Sequence, residues 1–460
     1  MVSKMNLDQF FRKYKAHKLI ILLGDRKVEW IIRSFVYMEK GPFVELKEFV
    51  NTVPMIDIHS HIDASHPHAR SPRDILFYHY IATELRSAGM KLELISPELP
   101  VEDAVKNALH FLPLIKNTST YWYFIKMLKE LYNFEYDEIN TKNVNKLLEA
   151  ISEGSKQADR YKRVLSGKAK IEKTFLTLRY DEAEPKFDKG FFAGALRLDP
   201  LISNLNKTSL ESLGKATNVS VESIGDFVDS LSSVFKKFSK CVAVTVSFQP
   251  EDSFTNPTRS EAAKAFKNLL ANGKLSPKEK QTLTSFAFRL ALSLSEEMGL
   301  VFQVMLGAKR PVAGAAPFDY AITGFESYTV SSLCPLFHEF DGLKFDVITT
   351  TPLLSHQLTV VAKNYPNVHV SGYWWYAFYP TFIKQFLRER LQMLPRNKSN
   401  GFFSDAYVVE WSYAKSRMVR LQVATVLAEM VSDEYITMEL AKELAVDLLN
   451  RNPKSLYKVK

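Results

Sequence analysis

The chain has 460 residues, of which 46% are hydrophobic and 24% are charged, and its formal net charge at pH 7 is +9. This composition is that of a globular protein with a large core, and it excludes extensive disorder. The positive charge is spread along the chain and accompanies no nucleic-acid-binding motif, so we expect no nucleic-acid partner.

The cysteine content and the hydropathy indicate the compartment. Cys241 and Cys334 are the only cysteines, and both lie in apolar segments, which excludes a disulfide framework and favours a reducing compartment. No run reaches the roughly 18 apolar residues that cross a bilayer, and the N-terminal stretch lacks the apolar core of a signal peptide. We therefore expect a cytoplasmic protein that has no membrane partner.

Two units are predicted in chain order. Residues 1–48 are basic and aromatic and are interpreted as an N-terminal helical extension, and residues 49–460 form the second unit. Short segments rich in β-branched and aromatic residues recur through the second unit, and the predicted strands are 54–58, 171–178, 192–197, 241–248, 300–306, 344–350, 367–371 and 401–405. Apolar strands that alternate with helices are typical of a parallel sheet covered on both faces. Eight of them predict an α/β fold, a closed (β/α)8 TIM barrel.

The largest departure from a plain barrel lies between the first two strands. The segment 72–168 is helical almost throughout, with helices predicted over 74–88, 101–114, 120–132 and 141–165. It leaves the chain at the carboxyl end of the first strand, which is the face where barrel enzymes have their active sites. We therefore expect this all-helical insertion to cover the site.

A histidine pair stands at the end of the first predicted strand. His59 and His61 are one residue apart, and alternate residues of an extended chain point the same way, so both can bind one metal ion. Asp405 ends the last predicted strand at the same edge of the barrel, although it could instead cap the helix that follows. Two imidazoles and a carboxylate predict one divalent metal with open coordination positions, and this ligand set favours zinc.

The order of these features resembles the amidohydrolase superfamily and, within it, the uronate isomerases, also called glucuronate isomerases. Segments 117–122 (Asn-Thr-Ser-Thr-Tyr-Trp) and 131–134 (Leu-Tyr-Asn-Phe) are similar to the family's Asn-Thr-x-Thr-Tyr-Trp and Leu-Tyr-Gly-Phe motifs in the insertion. Further similarities are found at 196–199 (Leu-Arg-Leu-Asp), 303–310, 373–375 (Tyr-Trp-Trp), 404–405 (Ser-Asp) and 412–415 (Ser-Tyr-Ala-Lys). The likeness extends over roughly residues 53 to 455.

The resemblance implies an activity, the aldose–ketose isomerisation of a hexuronate through an enediol. This reaction needs an acid and a base near the reacting carbons and an electrophile that polarises the carbonyl. The residues that are candidates for proton transfer are Asp405, His79, Tyr80 and Tyr373, and the sequence does not rank them.

The same resemblance suggests how the chain would bind a sugar acid or another carboxylate. Arg197 and Arg310 are predicted to bind the carboxylate, because a guanidinium matches it in a two-point fork. Arg86 shares a helix face with His79 and is a further candidate. Trp374 and Trp375 follow the seventh predicted strand and are candidates for the walls around a sugar ring.

The chain also departs from the family pattern. Imidazoles expected in the fourth and fifth strands are replaced by Val246 and Met305, and Tyr407 stands where an arginine is expected. A Trp-Arg pair of the insertion corresponds to Ala82 and Thr83. We therefore expect a divergent member of the family, for which D-glucuronate and D-galacturonate are poor substrates.

Two other functions stay open from the sequence. The first is a mononuclear metal-dependent hydrolase of a lactone, ester or amide, in which the same ion activates water. The second is a non-catalytic barrel. The sequence also leaves open whether the chain forms a homo-oligomer.

Overall fold

The computed structural model describes residues 41–183, 186–313 and 321–459. Most of the predicted N-terminal extension therefore lies outside the described residues. The first described helix, α1, spans Pro42–Thr52 and packs against the long helix near the C-terminus. The unit boundaries at 48 and 168 stay predictions.

Eight parallel strands form the centre of the fold. They are β1 (Met55–Ser60), β2 (Ile171–Arg179), β3 (Phe192–Arg197), β4 (Ala243–Ser247), β5 (Val301–Leu306), β6 (Lys344–Thr349), β7 (Val368–Ser371) and β8 (Ser399–Asn400). Each strand pairs with the next in chain order, from β1 to β8. A separate antiparallel ribbon joins Ala308–Lys309 to Ile322–Thr323. The predicted (β/α)8 architecture is confirmed.

The eighth strand was predicted at the wrong place. It ends at Asn400, and the predicted segment 401–405 leaves the ladder of β7. This segment runs along β1 instead, where the Asp405 amide donates to the His59 carbonyl at 2.9 Å and the His61 amide donates to the Ala406 carbonyl at 2.8 Å. These two hydrogen bonds form a seam between the first and the last strand of the barrel, and they fix Asp405 beside the histidine pair.

The described chain between β1 and β2 contains helices and no strand. These helices are α2 (Pro72–Leu76), α3 (His79–Ser87), α4 (Val101–Ala108), α5 (Ser119–Tyr132), α6 (Val144–Ser155) and α7 (Arg160–Lys162), with 3-10 turns at Leu92–Ile95 and Leu112–Ile115 and a π-helical segment at Arg163–Ala169. The helix predicted over 74–88 is broken, because Tyr78 has an extended backbone with a ψ of 142°. The Thr118 hydroxyl caps α5 by accepting from the Tyr121 amide.

The insertion is tied to the barrel by a buried carboxylate. Glu410 accepts from Arg160 Nε at 2.8 Å, from the Ala69 amide at 3.1 Å and from Tyr132 Oη at 3.4 Å. A buried carboxylate needs partners of this kind, because an unpaired charge away from water is costly. These bonds hold the insertion beside the carboxyl end of β1.

The other helices surround the barrel and follow its strands. They are α8 (Lys207–Thr217), α9 (Ile224–Lys237), α10 (Arg259–Asn272), α11 (Pro277–Glu297), α12 (Thr329–Glu339), α13 (Pro352–Asn364), α14 (Pro380–Met393), α15 (Val409–Ser432), α16 (Met438–Val446) and α17 (Asn452–Tyr457). Short 3-10 turns occur at Asp199–Leu201 and Trp375–Ala377, and a π-helical turn occurs at Asp447–Arg451. Among the described helices none is long and apolar enough to cross a membrane.

Candidate metal centre and active site

The two histidines and the aspartate predicted as ligands meet at the carboxyl end of the barrel. The Nε2 atoms of His59 and His61 lie 3.7 and 3.2 Å from Asp405 Oδ1. One ligand atom from each residue lies within 4.8 Å of the other two. The residue types and their spacing therefore fit a metal ion bound by two imidazoles and one carboxylate.

Hydrogen bonds orient both imidazole rings. His59 Nδ1 lies 3.3 Å from Gln303 Oε1, and His61 Nδ1 lies 2.8 Å from Thr177 Oγ1. A metal-binding histidine usually has such a partner on its other ring nitrogen, which fixes the ring and its tautomer. Both Nε2 atoms are left to face Asp405.

The electrostatics of the cluster suit a cation. Burial, followed by the charge of His61, lowers the pKa of His59 from 6.5 to about 4, so this imidazole is neutral at pH 7. Burial alone would raise the pKa of Asp405, but the hydrogen bond from His61 and the nearby positive charges hold it well below its usual range. A neutral imidazole and an ionised carboxylate are the forms that bind metal.

A cavity of about 100 Å³ opens beside this cluster. The predicted site residues around it are His59, His61, His79, Arg197, Arg310, Trp374, Trp375 and Asp405. The other residues that line it are Asp199, Thr245, Ser247, Met305 and Tyr407. None of them is assigned a role from the sequence, although Met305 and Tyr407 stand where an imidazole and an arginine are expected. The location of three of these five at the cavity can be expected from the fold, because Thr245, Ser247 and Met305 are at inward positions of β4 and β5.

Three predicted site residues do not line this cavity. Tyr373 is buried in the core, where its ring lies 5.5 Å from the Arg390 guanidinium. Tyr80 lines a second cavity of about 40 Å³, and Trp375 lines both cavities. Arg86 lines neither, because it follows His79 by seven helical residues and so lies about 10 Å farther along the axis.

The two arginines of the cavity are held in different ways. Arg197 Nε donates to Asp199 Oδ2 at 2.9 Å, and Asp199 Oδ1 accepts from the Ser247 amide at 3.1 Å. The Arg310 guanidinium lies 5.5 Å from the centre of the Trp375 ring, and its backbone is held by Gln249. Two guanidinium groups and the metal-ligand cluster thus surround the same small space, which is an arrangement that suits an anionic ligand.

Comparisons with known proteins agree with the motifs. No protein-family model matches the chain. A uronate isomerase from Phenylobacterium zucineum is 24% identical over 448 residues, which is 89% of this chain and 92% of that protein. The crystal structure of uronate isomerase from Thermotoga maritima has a TM-score of 0.83 at 19% identity and covers 90% of this chain and 97% of its own. That of glucuronate isomerase from Caulobacter crescentus has a TM-score of 0.82 at 20% identity and covers 91% and 94%. The chain resembles the uronate isomerases.

Val246, which the sequence aligns with an imidazole of the uronate isomerases, does not line the cavity. The register of β4 and β5 pairs Thr245 with Gln303 and Val246 with Val304. Because Thr245 and Ser247 line the cavity, Val246 faces the opposite side of the sheet, toward the helices. Met305 does line the cavity, so the position expected for an imidazole in β5 faces the site.

His79 has no part in the metal-ligand cluster but faces the same cavity. Its Nε2 atom is buried and has no hydrogen-bond partner among the described residues. Burial, followed by the charge of Lys415, lowers its pKa from 6.5 to about 3. His79 is therefore neutral at pH 7.

This pKa predicts an effect on stability. Below pH 6.5 the unfolded chain binds a proton at His79 that the native protein does not bind, so the free energy of unfolding decreases as the pH is lowered. Between pH 7.5 and pH 5 this residue should account for about 2 kcal/mol in the metal-free protein. Urea unfolding at both pH values measures how far the free energy of unfolding drops from pH 7.5 to pH 5. We expect this drop to be about 2 kcal/mol smaller in His79→Phe than in wild type. The exposed His110 provides the control, since His110→Phe should leave the drop unchanged.

Proposed function

We propose that this chain is a metal-dependent isomerase that interconverts the aldose and ketose forms of a hexuronate or a related sugar acid through an enediol. The observation that carries this proposal is the cavity in which the cluster of His59, His61 and Asp405 faces Arg197 and Arg310. The type of reaction is inferred from the uronate isomerases that the chain resembles.

The metal-ligand cluster supplies the electrophile. His59, His61 and Asp405 would bind one divalent ion, and their two nitrogens and one oxygen favour zinc. Such an ion, when bound, polarises a carbonyl oxygen and so makes the neighbouring C–H bond more acidic.

The arginines bind and orient the substrate. Arg197 donates to Asp199 through Nε, so its two outer nitrogens would match the two oxygens of a substrate carboxylate. Arg310 supplies a second positive charge at the Trp375 wall. With the carboxylate fixed, the far end of a six-carbon acid is directed toward the cluster, and the reacting carbons are held in place.

Proton transfer is assigned to groups that reach the cavity. The enediol route removes a proton from the carbon that bears the hydroxyl and returns one to the former carbonyl carbon. Of the four predicted candidates only His79 and Asp405 line the cavity, and Tyr80 and Tyr373 do not. We assign the transfer to His79 and Asp405: the Nε2 atom of His79 has no hydrogen-bond partner among the described residues, and Asp405 contacts His61.

The proposal is tested by proton exchange. Zinc-loaded protein is incubated with aldohexuronates and ketohexuronates in D2O, and NMR follows both the interconversion and the loss of the carbon-bound proton signal. We expect both for at least one hexuronate and neither for the neutral sugar D-glucose, which lacks the carboxylate. Hydrolysis of a sugar lactone without any isomerisation would show instead that the hydrolase alternative is correct.

Met305 gives a second arm to this experiment. Because the β5 position faces the cavity, Met305→His adds the imidazole that the uronate isomerases have in this strand. We expect slow turnover of D-glucuronate and D-galacturonate by wild type and a higher kcat/KM in the variant. Wild-type turnover at the usual rate of about 1 to 1000 per second would show that this departure does not limit activity.

A further inference from the structure

A chain of buried polar side chains lies inside the barrel, beneath the histidine pair. Its members are Gln303 on β5, Asp346 on β6 and Tyr457 on the last helix, α17. Gln303 and Asp346 are fully buried and Tyr457 is 3% exposed. Neither the sequence motifs nor the proposed function gives Tyr457 a role.

The first step concerns the amide of Gln303. Its Nε2 atom donates to the Ile58 carbonyl at 2.9 Å and to Tyr457 Oη at 2.9 Å. Both amide hydrogens are therefore used, and the side-chain oxygen Oε1 is the atom turned toward His59 Nδ1. An oxygen in this place accepts a hydrogen bond and cannot donate one, so His59 must have its proton on Nδ1.

The second step concerns the hydroxyl of Tyr457. This hydroxyl has a single proton, which it donates to the carboxylate of Asp346. Its lone pairs are then left to accept from Gln303 Nε2. Asp346 also accepts from Asn400 Nδ2 at 3.4 Å, and the Tyr457 ring packs against Phe175 with the ring centres 4.9 Å apart. The Asp346 carboxylate therefore determines which atom donates and which accepts in each hydrogen bond between Asp346 and His59.

We propose that Tyr457 is a positioning residue for the metal centre: through Gln303 it holds His59 in the tautomer that leaves Nε2 free to bind the metal. Without the tyrosine oxygen, the Gln303 amide keeps only one of the two acceptors that set its orientation, the Ile58 carbonyl, and the flipped orientation becomes easier to reach. In the flipped orientation the amide nitrogen faces His59 and moves the imidazole proton to Nε2, where it blocks the metal. The proposal rests on the proposed metal site.

The first test compares affinities for Zn²⁺ by competition with a chromophoric chelator. Loss of a group that orients a ligand typically costs about 10- to 100-fold in metal affinity, and we expect this loss in Tyr457→Phe. The matched control is Tyr180→Phe, because Tyr180 is also buried and has its hydroxyl on a backbone carbonyl, that of Ser209 at 3.2 Å. The control should bind Zn²⁺ as wild type does.

A double-mutant cycle separates this role from general stabilisation. If Tyr457 acts through Gln303, the double variant Tyr457→Phe/Gln303→Leu should bind Zn²⁺ no more weakly than Gln303→Leu alone. The proposal would be overturned if the losses of Zn²⁺ affinity in the two single variants add up in the double variant. It would also be overturned if Tyr457→Phe binds Zn²⁺ as tightly as wild type does.

A third measurement needs neither metal nor a variant. NMR of metal-free wild type with ¹⁵N-labelled histidine reports which ring nitrogen of His59 is protonated, and we expect Nδ1. Protonation at Nε2 would overturn the proposal even if Tyr457→Phe fails to fold. Nδ1 protonation in a wild type that binds no metal would support the positioning role and contradict only the metal site.

Discussion

Replacement of His59 and His61 together by alanine is expected to remove bound metal completely, from about one divalent ion per chain to none. The double variant leaves Asp405 as the last member of the cluster, and a single carboxylate does not hold a transition metal at micromolar concentrations. Elemental analysis of the purified protein measures the loss. Because a bound ion would polarise the substrate carbonyl, we expect isomerase activity to be lost with it.

The chain offers a matched control for this variant. His66 and His68 are also one residue apart, and they lie in the loop that follows β1, but neither belongs to the cluster. His66→Ala/His68→Ala should keep its metal and its activity. Full metal occupancy in the His59/His61 variant would show that the ion binds elsewhere.

Replacement of Arg197 by alanine is expected to raise KM and lower kcat for a sugar acid while the metal stays bound. In the proposed site the guanidinium binds the substrate carboxylate, and this binding would also place the reacting carbons, so both parameters should depend on it. We expect kcat/KM to fall by about 100- to 1000-fold, which corresponds to about 3 to 4 kcal/mol of transition-state stabilisation. Steady-state kinetics together with elemental analysis measure the two effects.

Arg179 is the control for the arginine variant. Like Arg197, it pairs with an aspartate two residues later, Asp181, but it does not line the cavity. Arg179→Ala should therefore keep the kinetics of wild type. An Arg197→Ala variant with unchanged KM would assign the carboxylate to Arg310 instead.

The strand pattern and the histidine pair could be read from the sequence because both depend on local periodicity. Alternation along an extended chain placed His59 and His61 on one face, and apolar runs marked the barrel strands. Asp405 could be paired with them because the carboxyl ends of parallel strands meet at one edge of the barrel. The motifs added the two arginines of the cavity.

Other features could not be predicted, because they depend on the position of a strand to within one residue or on contacts between residues that are distant in the sequence. Val246 was aligned with an imidazole of the uronate isomerases, but its side chain does not line the cavity, since neighbouring residues of a strand face opposite sides of the sheet. Tyr373 follows Gly372, which has a φ of +53°, and this turn directs the tyrosine into the core. Gln303 contacts His59 across a separation of 244 residues in the sequence, and no local pattern predicts such a pair. The cytoplasmic location and the lack of a nucleic-acid partner stay predictions.

The seam between β1 and the segment after β8 has a consequence for the order in which the protein is made. The histidines lie near the start of the barrel and Asp405 near its end, and the Asp405 amide is bonded to the His59 carbonyl across the seam. A growing chain on the ribosome presents two ligands long before the third exists. The complete site forms only when the barrel closes, so the ion would be loaded after synthesis and would then stabilise the closed barrel by mass action.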